Sequence, residues 1–193
     1  MAAVELNLSC PNVEEAPETA AESVAAAREA TDLPLFAKLS PATWDIAESA
    51  RAVAEAGADG LSLVNTIRGL ALDELTLAPT LGPAVGGLSG PALKPIALAA
   101  VFACRRAVDL PIVGMGGVRT GRDALELMAC GATAVALGTV LFSDPDAPGR
   151  VRAELAEELA RHGLANADDA VGLAHEGRLL TRKHLDIAGK LHV

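Results

Sequence analysis

Five short stretches of the chain are almost continuously apolar and rich in Val, Leu and Ile. They occupy residues 4–9, 34–40, 60–65, 111–116 and 134–140. None of them alternates strictly between apolar and polar positions. Near-continuous apolarity is typical of parallel strands that are covered by helices, so the pattern predicts five buried parallel strands.

The segments between these stretches carry the apolar spacing and the end signals of helices. In residues 43–57 the apolar positions recur on one helical face, and Gly57 follows as a C-cap. Residues 120–131 begin with Thr120-x-x-Asp123, which is the pattern of a capping box. The predicted helices occupy residues 17–31, 43–57, 94–108, 120–131 and 149–163, with a shorter one beginning near Asn166, whose side chain would cap it.

Strand and helix signals alternate along the chain, and the linkers between them repeat. The phrase ATDLP precedes the second strand, and AVDLP precedes the fourth. A repeated βα unit predicts an α/β fold with a parallel sheet and right-handed crossovers. Two architectures satisfy this pattern, a (β/α) barrel and an open doubly wound sheet.

Composition narrows the classes of function. The 193-residue chain has a formal net charge of −9, 2% aromatic residues and no tyrosine. It therefore lacks the basic face and the stacking platforms of a nucleic-acid-binding protein. No apolar run approaches the length of a membrane span, and the first residues show no signal-peptide pattern. We thus expect neither a nucleic-acid partner nor a membrane one.

The three cysteines are far apart, and none belongs to a C-x-x-C motif. This spacing argues against a disulfide framework or a metal site within the chain and favours a reducing, cytoplasmic location. Cys104 and Cys130 lie in helical patterns and are predicted to serve packing. Cys10 closes the first strand directly before Pro11, so it is either a buried packing residue or a general base.

Polar or glycine-rich residues end every predicted strand. In (β/α) barrels the carboxyl ends of the strands form the rim that carries the chemistry, so these residues are expected to meet. They are Asn7, Cys10 and Asn12 for the first strand, Lys38 for the second, Asn65, Thr66 and Arg68 for the third, Gly114–Gly117 for the fourth, and Gly138 and Thr139 for the fifth.

Two of these strand ends predict a phosphate site. Gly114–Gly117 and Gly138–Thr139 each precede a predicted helix, where backbone N–H groups and the positive helix end favour an anion. The glycine-rich turn Gly86–Gly90 precedes the third helix and offers further donors. Each motif taken alone would also serve as an ordinary tight turn.

Lys38 and the asparagines indicate a planar, electron-rich ligand. A lysine that points into a barrel either pairs with a carboxylate or holds a positive charge beside an electron-rich group, such as the N1–C2=O edge of a flavin. Asn7, Asn12 and Asn65 offer donors and acceptors to a ligand that bears amide groups, although turn chemistry alone would explain Asn12.

Six motifs, in this order, resemble the flavin-dependent dihydroorotate dehydrogenases that use a cysteine base: NLSCPN, FAKLSP, LVNTIRG, GGLSGPALKPIAL, VGMGGVRTG and ALGT. The resemblance implies an incomplete TIM-type (β/α)8 barrel. Residues 1–175 would hold its last five βα units, and residues 176–193 would form a C-terminal tail. It also implies FMN-dependent oxidation of dihydroorotate to orotate in pyrimidine biosynthesis.

The same resemblance implies roles for individual residues. Cys10 would remove the C5 proton of the substrate while the flavin accepts a hydride from C6. The substrate contacts would be Asn7, Asn12, Asn65 and Thr66. The FMN contacts would be Asn7, Lys38, Val64, Gly90, Gly116, Gly117, Gly138 and Thr139.

The stretches NTIRG and GGLSGPALKPIAL are most similar to the NAD-linked subclass. In that subclass a separate subunit with FAD and a [2Fe–2S] cluster passes electrons onward. The resemblance therefore implies an electron-transfer subunit as partner, within a homo-oligomer or hetero-oligomer.

Three alternatives stay open at the level of sequence. One is a flavoenzyme like dihydropyrimidine dehydrogenase, which shares NLSCP and FAKL, although Asn12 favours dihydroorotate. The second is a non-redox, phosphate-binding barrel in which Lys38 forms a Schiff base. The third is an inactive, truncated fragment.

Overall fold

The computed structural model describes residues 2–8 and 17–176 of the chain. Cys10 and Asn12 lie outside the described residues, as do residues 177–193 of the predicted tail. The strands are β1 (Val4–Asn7), β2 (Leu35–Leu39), β3 (Gly60–Leu63), β4 (Ile67–Leu70), β5 (Val85–Leu88), β6 (Ile112–Met115) and β7 (Ala134–Ala136). The helices are α1 (Pro17–Ala30), α2 (Ile46–Glu55), α3 (Lys94–Ala107), α4 (Gly121–Ala129) and α5 (Ala147–Arg161).

Five of the strands form one parallel sheet, in the order β1-β2-β3-β6-β7. This confirms the predicted α/β class and the five predicted parallel strands. A doubly wound sheet reverses its strand order part of the way across, whereas this order follows the chain throughout. The arrangement is that of part of a (β/α) barrel, so the open-sheet alternative is not supported.

The hydrophobic core lies between this sheet and its helices. In β2, Leu35, Ala37 and Leu39 are buried in the core, and Val53 of α2 and Val101 of α3 are fully buried there too. Full burial of an aliphatic side chain of this size stabilises the fold by about 1.5–3 kcal/mol. The intervening residues of β2 are only partly buried, so a two-residue period exists beneath the continuous apolar pattern.

The predicted ends of α2 and α4 are confirmed. Thr120 and Asp123 form the capping box of α4, in which each side chain accepts a hydrogen bond from the backbone N–H of the other residue. Gly57 and Gly131 follow the two helices with φ values of +104° and +120°. Such positive values favour glycine, because a Cβ is strained there.

A small antiparallel hairpin, formed by β4 and β5, lies between β3 and α3. The sequence did not predict it, because both strands are four residues long and contain glycine. Gly86 and Gly87 lie within β5, so they are not part of a turn. The prediction of a glycine-rich turn is therefore wrong for these two residues. The turn before α3 contains only Ser89 and Gly90 of the predicted segment.

The helix predicted from Asn166 is also different in the structure. Two 3₁₀ turns, Asp168–Ala170 and Leu173–His175, replace it. Asn166 does cap the first turn, since its Oδ1 accepts a hydrogen bond of 3.1 Å from Asp169 N. Gly172 stands between the turns with a φ of +84°, which interrupts a continuous helix.

The described helices are short. The longest of them, α5, has 15 residues, and within residues 2–8 and 17–176 no helix combines the length and the apolar character required to cross a membrane.

Candidate active site

A cavity of about 600 Å³ lies at the carboxyl ends of the parallel strands. This volume is within the range of small-molecule and cofactor sites. Nine of the predicted site residues line it, namely Lys38, Val64, Asn65, Thr66, Gly90, Gly116, Gly117, Gly138 and Thr139. The strand ends therefore meet in one place, as the parallel topology predicts.

Lys38 contributes a positive charge to one side of this cavity. Its Nζ lies 3.6 Å from Glu5 Oε1, and Ser62 Oγ donates a hydrogen bond of 2.6 Å to Glu5 Oε2. The lysine side chain is 22% exposed, so it is neither deeply buried nor freely solvated. Lys38 thus pairs with a carboxylate, as one interpretation predicted, and it also lines the cavity, where the other interpretation would place an electron-rich ligand.

Sequence reasoning missed Glu5 and Ser62. Side chains alternate along a strand, so Glu5 shares the face of Asn7, which was singled out at the end of the same strand. The register of β1 on β2 pairs Asn7 with Lys38. The two-residue period was therefore the signal that could have identified Glu5.

Asn7 and Asn65 meet beside the cavity. Asn65 Nδ2 donates a hydrogen bond of 3.2 Å to Asn7 Oδ1, and Thr66 N donates one of 2.8 Å to Asn65 Oδ1. Because β2 separates β1 from β3 in the sheet, these side chains join strand ends that are not neighbours. Three of the four predicted substrate contacts are thus in one cluster, and the fourth, Asn12, is outside the described residues.

Two glycine-bearing turns form another wall of the cavity. Gly90, Gly116 and Gly117 have φ values of +86°, +119° and +77°. A Cβ on Gly117 would lie 2.8 Å from Lys94 N and 2.9 Å from Gly90 O, so only glycine permits the two turns to pack this closely. By contrast, Cβ atoms built on Gly90 or Gly138 would meet no atom within 4 Å, so these residues border open space.

The turn at Gly116–Gly117 precedes α4, as predicted, whereas the turn at Gly138 does not lead directly into an α-helix. At α4, Arg119 N and Thr120 N both donate to Asp123 Oδ2 at 2.9 Å, so these donors are already used within the protein. Gly138 precedes a 3₁₀ turn, Thr139–Phe142, of which Thr139 is the first residue, and α5 begins only at Ala147. An anion here would therefore meet the backbone of the turns themselves.

A hydroxyl pair links the turn after β7 to the turn before α3. Thr139 Oγ1 donates a hydrogen bond of 2.9 Å to Ser89 Oγ, and both residues line the cavity. Ser89 stands inside the quoted motif GGLSG but was not singled out from the sequence. Its position next to Gly90 was the available signal.

Lys94 connects α3 to α4 behind the glycine turns. Its Nζ donates hydrogen bonds of 2.6 Å to Asp123 Oδ1 and 3.0 Å to Glu126 Oε2, and these bonds raise the pKa of the lysine. Burial on its own would raise the pKa of Asp123. The hydrogen bonds from Lys94, Arg119 and Thr120 outweigh that effect, so the pKa of Asp123 is lowered.

Replacing Asp123 by asparagine is expected to destabilise the chain by about 2 kcal/mol at neutral pH, because Lys94 loses one of its two charged partners. A carboxyl whose folded pKa is lowered stabilises the fold above its unfolded pKa, near 3.9, and this contribution is lost as the pH falls through the folded value. The difference between parent and Asp123→Asn should therefore shrink at about pH 3. Urea unfolding at both pH values measures it.

Asp109→Asn is the matched control for this prediction. Asp109 is almost fully exposed in an i,i+4 pair with Arg105, and such surface pairs contribute little. A difference between parent and Asp123→Asn that stays constant from neutral to acidic pH would contradict the proposed role of the carboxylate.

The two described cysteines are poor candidates for a base. Cys104 is fully buried, and its burial together with the charge of Asp45 raises the pKa of the thiol to about 12. Burial, with the charge of Glu126, also raises the pKa of Cys130. A thiol with a raised pKa is protonated near neutral pH, which agrees with the packing role predicted for both residues.

The sheet order and the position of the cavity define a barrel-type α/β protein with its candidate site at the carboxyl ends of the strands. The family model described as "Dihydroorotate dehydrogenase" matches residues 1–159. The chain belongs to the dihydroorotate dehydrogenase family, as the motif resemblance predicted.

Individual relatives agree with this assignment. The chain is 50% identical over 179 residues to "Dihydroorotate dehydrogenase B (NAD(+)), catalytic subunit" of Geobacter sulfurreducens, a match that covers 89% of this chain and 59% of that protein. It is 46% identical over 182 residues to the protein of the same name from Desulforamulus reducens, covering 91% and 60% of the two chains. A "Putative dihydroorotate dehydrogenase A (fumarate)" of Solibacter usitatus is 48% identical over 179 residues, covering 89% and 59%.

The chain thus spans about three fifths of the length of these relatives.

Proposed function

We propose that this chain forms the flavin-binding and substrate-binding part of a dihydroorotate dehydrogenase, which oxidises dihydroorotate to orotate in pyrimidine biosynthesis. One observation carries the proposal. Apart from Asn12, which lies outside the described residues, the residues that the family resemblance marks as flavin and substrate contacts line one cavity or, for Asn7, bond to a residue that does. Family membership, at up to 50% identity among the relatives above, supports the same conclusion.

The residues of the cavity suit FMN. Gly90 and Gly138 leave open space where a side chain would obstruct a ligand, and the backbone of the Gly116–Gly117 turn faces the same cavity. Lys38 supplies a positive charge at the strand side of the cavity, where the electron-rich edge of a flavin would be stabilised. When bound, FMN would supply the hydride acceptor for the oxidation.

The remaining residues would orient the substrate and move its proton. Asn65 and Thr66 line the cavity beside Asn7, so their amide and hydroxyl groups can bind the amide groups of the dihydroorotate ring. Cys10 and Asn12 follow β1 directly in the sequence, and we assign Cys10 as the base that takes the C5 proton. The bond between the thiolate sulfur and this proton would form as the C5–H bond breaks, while the hydride leaves C6.

The alternatives are less well supported. Family membership does not favour a Schiff-base aldolase or isomerase, although Lys38 lies in the cavity. The names of the relatives likewise refer to dihydroorotate and not to dihydropyrimidines.

We propose an electron-transfer subunit as the partner, and an oligomer as the working form. The support is that two of the relatives are named NAD(+)-linked catalytic subunits, and that the stretches NTIRG and GGLSGPALKPIAL are most similar to that subclass. FAD and a [2Fe–2S] cluster would belong to this partner. The spacing of the cysteines favours the cytoplasm as the compartment.

The purified chain, loaded with FMN, is expected to lose its visible flavin absorbance when dihydroorotate is added without oxygen. Dihydrouracil is the matched control, because it lacks the carboxylate of dihydroorotate and tests the dihydropyrimidine alternative. Reduction by dihydrouracil alone would select that alternative. A chain that binds no FMN, or whose FMN stays oxidised with both compounds, would refute the proposed function and favour an inactive fragment.

A further inference from the structure

Among the residues that the structure describes, the charged side chains that line the cavity are paired with one another or with neighbours, with one exception. An adjoining cavity of about 590 Å³ shares five lining residues with the first, namely Pro91, Gly117, Arg119, Val140 and Ser143. The ion pairs at the two cavities are Lys38 with Glu5, Lys94 with Asp123, and Arg150 with Asp144. Arg119 lines both cavities, and within residues 2–8 and 17–176 its guanidinium takes part in no ion pair or hydrogen bond.

The main chain of Arg119 is nevertheless held on both sides. Its N–H donates a hydrogen bond of 2.9 Å to Asp123 Oδ2, and its carbonyl oxygen accepts one of 3.1 Å from Arg150 Nη1. The backbone position is therefore fixed while the side chain is exposed. A guanidinium on an anchored backbone can reach a ligand at a small cost in conformational entropy.

Lys38 and Arg119, the two cationic residues that line the first cavity, belong to parts of the sheet that are not adjacent. Lys38 belongs to β2, and Arg119 lies in the turn after β6, with β3 between these strands. Neighbouring strands are roughly 5 Å apart, so the two positions differ by two strand spacings, or roughly 10 Å. This arrangement suits an extended ligand with an electron-rich ring at one end and an anionic group at the other.

We propose that Arg119 binds the phosphate monoester of the flavin nucleotide and makes the cavity select FMN over riboflavin, which lacks the phosphate. The inference rests on the proposed function, because it takes the occupant to be a flavin. Arginine suits this role because its planar fork of donors matches the oxygens of a phosphate. The glycine turns supply backbone donors, and Arg119 supplies the charge.

The test measures the affinity of the 193-residue chain for FMN and for riboflavin by quenching of flavin fluorescence. Arg119→Gln is expected to weaken FMN binding about tenfold, as loss of one charge-assisted contact predicts. Riboflavin binding should change less than about twofold. Arg119→Lys keeps the charge but loses the fork, so FMN affinity should recover in part.

Arg106→Gln is the matched control. It removes the same charge from an exposed position on α3 that lines neither cavity, so FMN affinity should stay at the parental value. Added salt should weaken FMN binding by the parent more than by Arg119→Gln, because screening acts on the charged contact.

Each outcome decides between the two proposals. If Arg119→Gln binds FMN as well as the parent does, or weakens both flavins equally, the role of Arg119 is wrong and the flavin site stands. If the parent binds neither flavin, the proposed function fails for this chain and the assignment of Arg119 fails with it.

Discussion

Replacing Gly121 by alanine is expected to lower the free energy of unfolding by about 3 kcal/mol. Gly121 is the first residue of α4 and is buried against α5. A Cβ at this position would collide with backbone atoms of Glu154 and Leu155 and would lie 2.6 Å from Glu154 Cβ. Backbone atoms cannot rotate away, so the two helices must separate. Urea unfolding of parent and variant measures the loss.

Gly149→Ala is the control, because it makes the same replacement of glycine by alanine at a position where the added Cβ has room. Gly149 lies in the first turns of α5, where an added Cβ would meet no atom within 4 Å. Alanine favours the helix by reducing the entropy of the unfolded chain, so this variant should be more stable by about 0.5–1 kcal/mol. If Gly121→Ala were as stable as the parent, the close contact of α4 and α5 would be refuted.

Replacing Cys10 by alanine is expected to slow the reduction of bound FMN by dihydroorotate about 10³-fold, because a general base typically contributes 10²–10⁴-fold. FMN affinity should stay within about twofold, since the proposed base acts on the substrate and not on the flavin. Rapid mixing without oxygen measures the rate of reduction, and fluorescence quenching measures the affinity.

Cys130→Ala controls for the loss of a thiol. Cys130 is half-buried at the end of α4, and its raised pKa makes it unsuited to accept a proton near neutral pH. The rate of reduction in this variant should match the parent. Parental turnover in Cys10→Ala would remove Cys10 from the mechanism, while the cavity and its flavin contacts would be unaffected.

The parallel sheet could be predicted from the sequence because each of its strands is locally apolar and each is followed by a helix with recognisable ends. The hairpin of β4 and β5 could not be predicted in this way. Its strands are short and contain glycine, and they pair with each other across the residues 71–84. Such pairing depends on contacts between segments distant in sequence, which a local pattern does not show.

Part of the candidate site could be predicted, because a parallel sheet brings the carboxyl ends of its strands to one edge. Asn65, Gly116 and Gly138 were identified because each follows a parallel strand, and all three line the cavity. Lys94 was missed for a different reason. Its ion pairs depend on how α3 and α4 dock, and the hydrophobic pattern of a helix does not specify which charged residues will face a neighbouring helix.

The bridge from Lys94 to Asp123 and Glu126 has a consequence for how the cavity moves. Charge-assisted hydrogen bonds contribute about 1.5–3 kcal/mol each, whereas a neutral one contributes about 0.5–1.5 kcal/mol. The two glycine turns beside Lys94 should therefore fluctuate together as one stiff wall. The turn after β7 is joined to the Ser89 turn by the neutral hydroxyl pair of Thr139 and Ser89. When the cavity opens to admit a flavin, the weaker hydrogen bond between Thr139 and Ser89 should therefore break first. Thr139 is then the residue whose displacement opens the cavity.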